Sequence, residues 1–293
     1  MAMKNLQIYC FLLLFSSGIS FAKDVILTTA ENFYNIGNYD LAVTEYKRFL
    51  FFNPEYDSIS DIYYRICLSF RNQNKFSEAM KALDESIRFS THDSISDERI
   101  ISKSIIYIAE EEYSSAEFEL LKIANFSKYS EVRKKAYFFL GICDLYTYKW
   151  KESHSAFNKY FYDYPVIQKQ IDSLFYTFGE KKYRSPALAK WLSTFIPGTG
   201  QIYGGDLKDG MNALLLNSLT GYLIVDSIIE NRLEDVIISY ISLFGRYYMG
   251  NRYKAEKAAI NFNNQINQYN RDSVLNYLNQ INISANNCLE ITR

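Results

Sequence analysis

The side chains able to do acid–base or nucleophilic chemistry are few and do not converge along the chain. His92 and His154 are the only histidines among 293 residues, each beside Ser or Asp and far from any nucleophile motif, so surface histidines are expected rather than a general base. The run Glu110–Glu112 reads as a solvated turn rather than an acid/base pair or cation site. Cys10 sits in an N-terminal apolar run. Cys67, Cys143 and Cys288 are odd in number, widely spaced and without a CxxC, so neither a disulfide framework nor a zinc site is signalled. Cys67 and Cys143 are read as small core residues. The glycine-rich "PGTGQIYGG" at 197–205 could cradle a phosphate, but it lacks the Lys-Ser/Thr of a P-loop and follows no strand pattern. This inventory predicts no catalytic residues, no metal ligands, no cofactor and no enzymatic activity.

Chemistry being absent, the elements themselves become the question. Apolar residues make up 48% of the chain, with 26 Tyr and 21 Phe, which suffices for one large or two modest cores. Lys+Arg (32) and Asp+Glu (33) cancel, so no basic face marks a nucleic-acid partner. Twelve Gly and four Pro are too few for the turns of an all-β protein. The expected fold class is all-α.

The N-terminal "MAMKNLQIYCFLLLFSSGISFAKD" carries Lys4, an apolar run from Leu6 to Ile19 and a small-x-small site at Ser20–Ala22. Residues 1–22 therefore read as a secretory signal peptide, with an uncleaved anchor helix or a lipid-bearing Cys10 as alternatives.

Internal repetition is the clearest signal. Ala42, Ala79, Ala116 and Ser153 recur every 37 residues. Three positions earlier stand Tyr39, Phe76, Tyr113 and Trp150. Twelve earlier stand Ala30, Cys67, Ser104 and Gly141, and four later Tyr46, Leu83, Leu120 and Phe157. Small residues at one place on each of two helices let them cross closely, and the aromatic plugs the gap where the pair turns, so the unit is a helical hairpin. Gly37, or an Asn in the same turn, can take the left-handed backbone that ends a first helix. Each hairpin leaves an apolar face that only a neighbour can cover, which predicts a stacked array.

This pattern resembles the tetratricopeptide repeat over residues 23–167, in four copies, strongest in "AENFYNIGNYDLAVTEYKRFLFFNPE" and "LGICDLYTYKWKESHSAFNKYFYDYP". Glu111 and Tyr148 stand where the turn glycine belongs, and the terminal proline is missing at Thr91 and Lys128. The extra residues over a 34-residue repeat are expected to lengthen the links between hairpins. The resemblance implies a protein or peptide partner bound in a groove lined by the first helices. From helical phase, Asn32, Tyr64, Arg71 and Tyr137 are the candidates for that groove.

A capping helix and linker are expected over 168–184, with Ile167, Ile171, Leu174, Phe175 and Phe178 at helical spacing. Two apolar runs follow. Met211–Ile229 would span about 28 Å as a helix, close to the hydrocarbon thickness of a bilayer. Its ten strongly apolar residues favour insertion by roughly −5 kcal/mol, offset in part by Asn212, Asn217 and Asp226. Val236–Met249 is shorter and would need tilt or thinning. A membrane hairpin is expected, with two buried helices of a soluble domain as the alternative. Asn212, Asn217, Asp226 and Arg246 are polar groups within the spans, read first as glue between helices and second as part of a transport path.

Before these runs, Pro186, Pro197, Gly198, Gly200, Gln201, Tyr203 and Gly204 form an expected membrane elbow. Proline stops an amphipathic helix carrying Leu188, Trp191, Leu192, Phe195 and Ile196, and the glycines allow positive φ and close approach. The stretch is similar to bacterial membrane-associated domains of uncharacterised function that share an SPxxA…PGxGQxYxG signature, here over 185–258. A polar tail is expected over 259–293. A cleaved signal peptide and two spans would leave the C-terminus outside, whereas Arg252, Lys254 and Lys257 after the second run favour a cytoplasmic C-terminus, so the number of spans stays open.

The expected function is an exported, membrane-associated scaffold of the cell envelope. Its repeats would face the periplasm, with the inner membrane favoured. Its expected partners are a protein or peptide in the repeat groove, the lipid bilayer and a second copy of the chain, meeting through the membrane hairpin as a homo-oligomer; nucleic acid is not expected. The alternative is a small envelope transporter or insertion factor in which elbow and hairpin are the active part.

Overall fold

The computed structural model describes residues 25–281 apart from 233, 235 and 238–244; the expected signal peptide at 1–22 and the end of the tail lie outside the described residues. The chain is all-α, and no strand occurs among the described residues. It divides into two compact units, one running to Lys169 and the other Gln170–Ile281.

The first unit is a helical-hairpin solenoid. A helix over 25–35 (α1) is followed by α2 (Tyr39–Phe52), α3 (Ile59–Asn72), α4 (Phe76–Arg88), α5 (Asp93–Ala109), α6 (Tyr113–Phe126), α7 (Ser130–Tyr146) and α8 (Trp150–Tyr160). Packing is between neighbours: α3 on α2 and α4, α5 on α4 and α6, α7 on α6 and α8, with α5 also touching α7. Every second helix starts on the repeated aromatic, Tyr39, Phe76, Tyr113 or Trp150.

The small residues stand where the helices cross. Ala42, Ala79, Ala116 and Ser153 are fully buried, as are Ala30 and Ser104, and the large residues Tyr46, Leu83, Leu120 and Phe157 fill the space between. In the fourth hairpin the fit is direct: a β-carbon on Gly141 would lie 2.7 Å from the Phe157 ring. Ser153 Oγ donates to the Gly141 carbonyl at 2.9 Å, satisfying a buried hydroxyl across the same crossing. Burial pushes the thiols of Cys67 and Cys143 up to about 12, which leaves them inert fillers of this core.

All four turns are the same hydrogen-bonded device. Gly37, Asn74, Glu111 and Tyr148 hold positive φ of 78°, 57°, 62° and 60°. The next amide donates back across the turn: Asn38 N to Phe33 O, Lys75 N to Phe70 O, Glu112 N to Tyr107 O and Lys149 N to Asp144 O, at 2.8–2.9 Å. Missing glycines at Glu111 and Tyr148 therefore do not blur the repeat edges, because packing on both sides imposes the left-handed residue whatever its type. The expected lengthening of the links holds for the first one, 53–58, and fails afterwards: α5 and α7 absorb the extra residues by growing to 17 residues, against 14 in α3.

The second unit contains most of α9 (Pro165–Glu180), then α10 (Pro186–Phe195), α11 (Thr199–Tyr203), α12 (Leu207–Ile229) and α13 (Gly245–Gln280). The expected break between a module ending at 258 and a tail from 259 falls inside α13, which runs unbroken for 36 residues. Its asparagines explain the continuity. Asn263 Nδ2 donates to Arg184 O at 2.8 Å and its Oδ1 accepts from Arg184 N at 2.7 Å. Asn267 accepts from the Tyr183 hydroxyl at 2.7 Å, and Asn270 from Lys181 Nζ at 3.0 Å. At i, i+4, i+7 spacing they form one stripe that holds the segment before α10 against the helix.

Candidate functional site

In the solenoid, successive first helices are joined by a ladder of opposite charges. Arg65 Nε lies 3.3 Å from Glu31 and its guanidinium 5.4 Å from the Tyr34 ring. Arg99 pairs with Asp61 at 2.7 Å and stacks 3.6 Å over Tyr64, whose hydroxyl bonds Ser102 Oγ at 3.0 Å. Lys135 pairs with Glu98 at 2.9 Å. The ladder runs from α1 through α3 and α5 to α7. The Arg99 side chain is mostly buried and its Nε has no hydrogen-bond partner.

The four groove candidates do not share one surface. Tyr64 stands on the ladder, and Arg71 lies near Tyr34, whose hydroxyl pKa burial raises and Arg65, then Arg71, partly bring back down. Asn32 is exposed. Tyr137 points elsewhere: its hydroxyl donates to Ala124 O of α6 at 3.4 Å and Lys159 of α8 lies 4.7 Å over its ring. In repeat register Tyr137 matches Tyr63, which stacks on Phe89 at 5.6 Å, and not Tyr64. One residue of helical phase is a rotation of about 100°. Asp61 and Arg99 escaped the sequence reading, although the recurring opposite-charge pairs Glu31/Arg65, Asp61/Arg99 and Glu98/Lys135 were a usable signal.

The histidines do not converge. His92 precedes α5 as its cap residue, while a His154 ring nitrogen lies 3.1 Å from the Asn158 amide one turn on. Glu110 and Glu111 occupy a turn, and Glu112 Oε2 accepts from Ser115 Oγ. Among the described residues no group of three His, Cys, Asp or Glu is placed to hold a metal ion.

The elbow residues gather in the second unit, but as a packing knot and not only as a turn. Ser185 caps α10 and Pro186 opens it. After Pro197 comes Gly198 at φ +99°, followed by the short helix α11. A β-carbon on Gly200 would strike the Ala189 carbonyl and lie 2.7 Å from Ala255 Cβ, and one on Gly204 would lie 2.7 Å from Ala258 Cβ. Gly198 similarly faces the Gly210 carbonyl. Glycine thus lets α10, α11, α12 and α13 meet at backbone distance.

Gln201 is the polar centre of this knot. Fully buried, it accepts from Ser193 Oγ at 2.9 Å and donates to the Asn251 backbone carbonyl at 3.2 Å and to the Asn251 side chain. Ser193 Oγ also accepts from Gly200 N at 2.9 Å. Every link is satisfied, so the network specifies one packing. Tyr203 takes the Arg184 guanidinium over its ring at 5.1 Å, and its hydroxyl accepts from Ser185 N at 3.0 Å.

α12 is long and apolar enough to cross a membrane, and it is the one such helix among the described residues. Its faces are reversed relative to a water-soluble helix. Gly210, Asn217, Thr220 and Ser227 are buried, whereas Leu215, Leu219, Val225 and Ile229 are exposed, Leu219 by 58%. Asn217 Nδ2 donates to Ala213 O at 2.7 Å and Thr220 Oγ1 to Leu216 O at 2.9 Å, while Asn212 is exposed. Asp226 pairs with Arg232 just beyond its own helix at 3.0 Å, not across a hairpin. Half of the second apolar run, 238–244, lies outside the described residues, as does the Arg246 side chain.

No family model matches the chain, and no curated protein matches it. Among solved structures it is similar to a chain from the functional characterization of Pseudomonas aeruginosa PilF, at 16% identity and a TM-score of 0.40, over 83% of this chain and 99% of that one.

Proposed function

We propose that this protein is an exported scaffold of the cell envelope that binds a protein or peptide through its helical repeats and is held at a bilayer by its second unit, without catalysis. The observation that carries the membrane half is the inversion of α12, whose small and polar residues are buried and whose large apolar residues are exposed. Water would penalise such a face by about 25 cal/mol per Å2, whereas lipid covers it without cost. The outer side of α10 adds Trp191 and Phe195, 5.2 Å apart and both exposed, of the kind that settles at a membrane interface. The binding half rests on the stacked hairpins and on the ladder around Tyr64 and Arg99, whose carboxylates Asp61 and Glu98 stay accessible to a polypeptide.

In this reading the repeats face the periplasm, and the inner membrane is the favoured attachment. The test is fractionation with a carbonate wash, combined with a C-terminal accessibility tag. The protein should stay in the membrane pellet. Release of the full chain into the wash as a detergent-free monomer rejects the anchor, and partner capture unchanged by Tyr64→Ala with Arg99→Ala rejects the groove.

A further inference from the structure

Phe126 stands alone where its counterparts are covered or replaced. Ten positions after Ala42, Ala79, Ala116 and Ser153 the 37-residue register places Phe52, Phe89, Phe126 and Asp163, and four before Ala30, Cys67, Ser104 and Gly141 it places Ile26, Tyr63, Ile100 and Tyr137. In the second hairpin the two positions meet: Tyr63 stacks on Phe89 with centroids 5.6 Å apart and planes 3° from parallel. In the first, Ile26 stands in place of the tyrosine, and Phe52 is met by its neighbour Phe51, edge to face at 5.2 Å. In the fourth, Asp163 stands in place of the phenylalanine and pairs with Lys134 at 2.7 Å. The third hairpin keeps the phenylalanine but carries Ile100 at the tyrosine position, and Phe126, 82% exposed, makes no ring contact among the described residues.

The missing ring leaves a cleft. A pocket of about 280 Å3 is lined by Ile100, the residue that falls short of a tyrosine, and by Phe126, the ring left uncovered, with Ile123 and Tyr129 beside them. Its charges cancel: Asp93 and Asp97 line it from α5, and Lys122 and Lys128 from the end of α6 and the link after it, Lys122 being held by Glu119 at 3.0 Å. With two of each sign, charge selects neither a cation nor an anion. What discriminates is the open ring face, because a second ring stacked on it gains from the quadrupoles of both, beyond the area that any apolar group would cover.

We propose that this cleft receives an aromatic side chain of the protein partner, which stacks on Phe126 in the place that Tyr63 takes on Phe89. The neighbouring hairpin is the template for the occupant: there the chain supplies the ring itself, and here the partner supplies it. An aromatic anchor in a preformed pocket is the kind of contact on which protein recognition concentrates its energy. Ile100 follows Arg99 directly and so lies about 100° around α5 from it, which makes this contact separate from the Tyr64–Arg99 ladder. The site rests on the scaffold reading for its partner.

The test uses the full chain in lipid nanodiscs with 4-fluorophenylalanine in place of Phe126, read by 19F NMR as N-acetyl-tryptophanamide or N-acetyl-leucinamide is added. The indole should move the resonance saturably, with an affinity about two- to tenfold above that of the leucine compound. Ile100→Tyr, which rebuilds the ring pair of the second hairpin, should shift the resonance before any ligand is added and abolish the response; the comparison of the two compounds stands without that variant. Equal affinity for both compounds, no saturable shift with either, or an indole response that survives Ile100→Tyr in the folded chain overturns the proposal. So does a resonance broadened by paramagnetic lipid, which puts a bilayer on this face, or one that moves with protein concentration, which puts a second copy there. Partner capture that survives Ile100→Tyr defeats this site alone, and a saturable indole response without capture of any partner defeats the scaffold reading alone.

Discussion

Gly37 and Glu111, two repeat periods apart, hold the same left-handed backbone, at φ +78° and +62°. One residue is free to do so and the other is forced. A side chain in that region costs about 1–2 kcal/mol, and glycine returns part of this gain through its more flexible unfolded chain. Glu111→Gly should therefore raise stability by about 0.5 kcal/mol in urea unfolding. Tyr148→Gly should gain less, since it gives up the ring contact to Trp150 at 5.7 Å. A loss of stability on Glu111→Gly would remove strain as the account of these turns.

Gly200 and Gly221 should separate contact from conformation in the second unit. Gly200 has the Ala189 carbonyl and Ala255 Cβ where its side chain would be, while Gly221 has nothing within 4 Å. Gly200→Ala should destabilise the unit by about 1–3 kcal/mol through overpacking, and Gly221→Ala, in the middle of α12, should be neutral or slightly stabilising. Limited proteolysis of the full chain in detergent reads both.

Arg99 acts through its plane as well as its charge. Its stack on Tyr64 and its pair with Asp61 both need the guanidinium fork, so Arg99→Lys should cost about 1 kcal/mol although the charge is kept. A melting curve unchanged by that substitution would show that the ladder contributes nothing to holding α3 against α5.

Asp144 should make stability fall with rising pH. Its folded carboxyl titrates at about 7, above the ordinary range near 4, so the folded state holds the proton more tightly than the unfolded chain does. The contribution is fully present below pH 4 and is lost progressively between about pH 4 and 7, by an amount on the order of 1–4 kcal/mol. Asp144→Asn should flatten that slope in denaturant midpoints measured across this window.

Leu219 tests the environment of α12. An exposed residue of a water-soluble helix tolerates Arg within about 0.5 kcal/mol, whereas a lipid-facing one near the middle of a span loses about 2.5–3.5 kcal/mol of insertion. Leu219→Arg should shift the chain out of the carbonate-resistant fraction, and Asn212→Arg, near the start of the helix, should do so much less.

The sequence by itself determined whatever repeats within one helical hairpin. A small residue at one crossing position, an aromatic opening the second helix and a large residue one turn later are local patterns with a fixed period, and helix geometry converts them directly into burial at Ala42, Ala79, Ala116 and Ser153. The reversed faces of α12 were half legible: its apolar length could be read, while the side that Asn217 and Thr220 occupy could not. Tertiary structure alone decided which helices meet. Gly200 is small because Ala189 and Ala255 arrive from positions far apart in the chain, and Tyr137 faces α6 and α8 because a single residue of phase turns it away from Tyr64. Asp144 departs from an aromatic register, Phe33, Phe70 and Tyr107, that the sequence already shows, but only the folded repeats show that its Oδ1 is buried without a hydrogen-bond partner. Spacing along a chain encodes a helix's own faces; what lies against each face depends on crossings that no local pattern records.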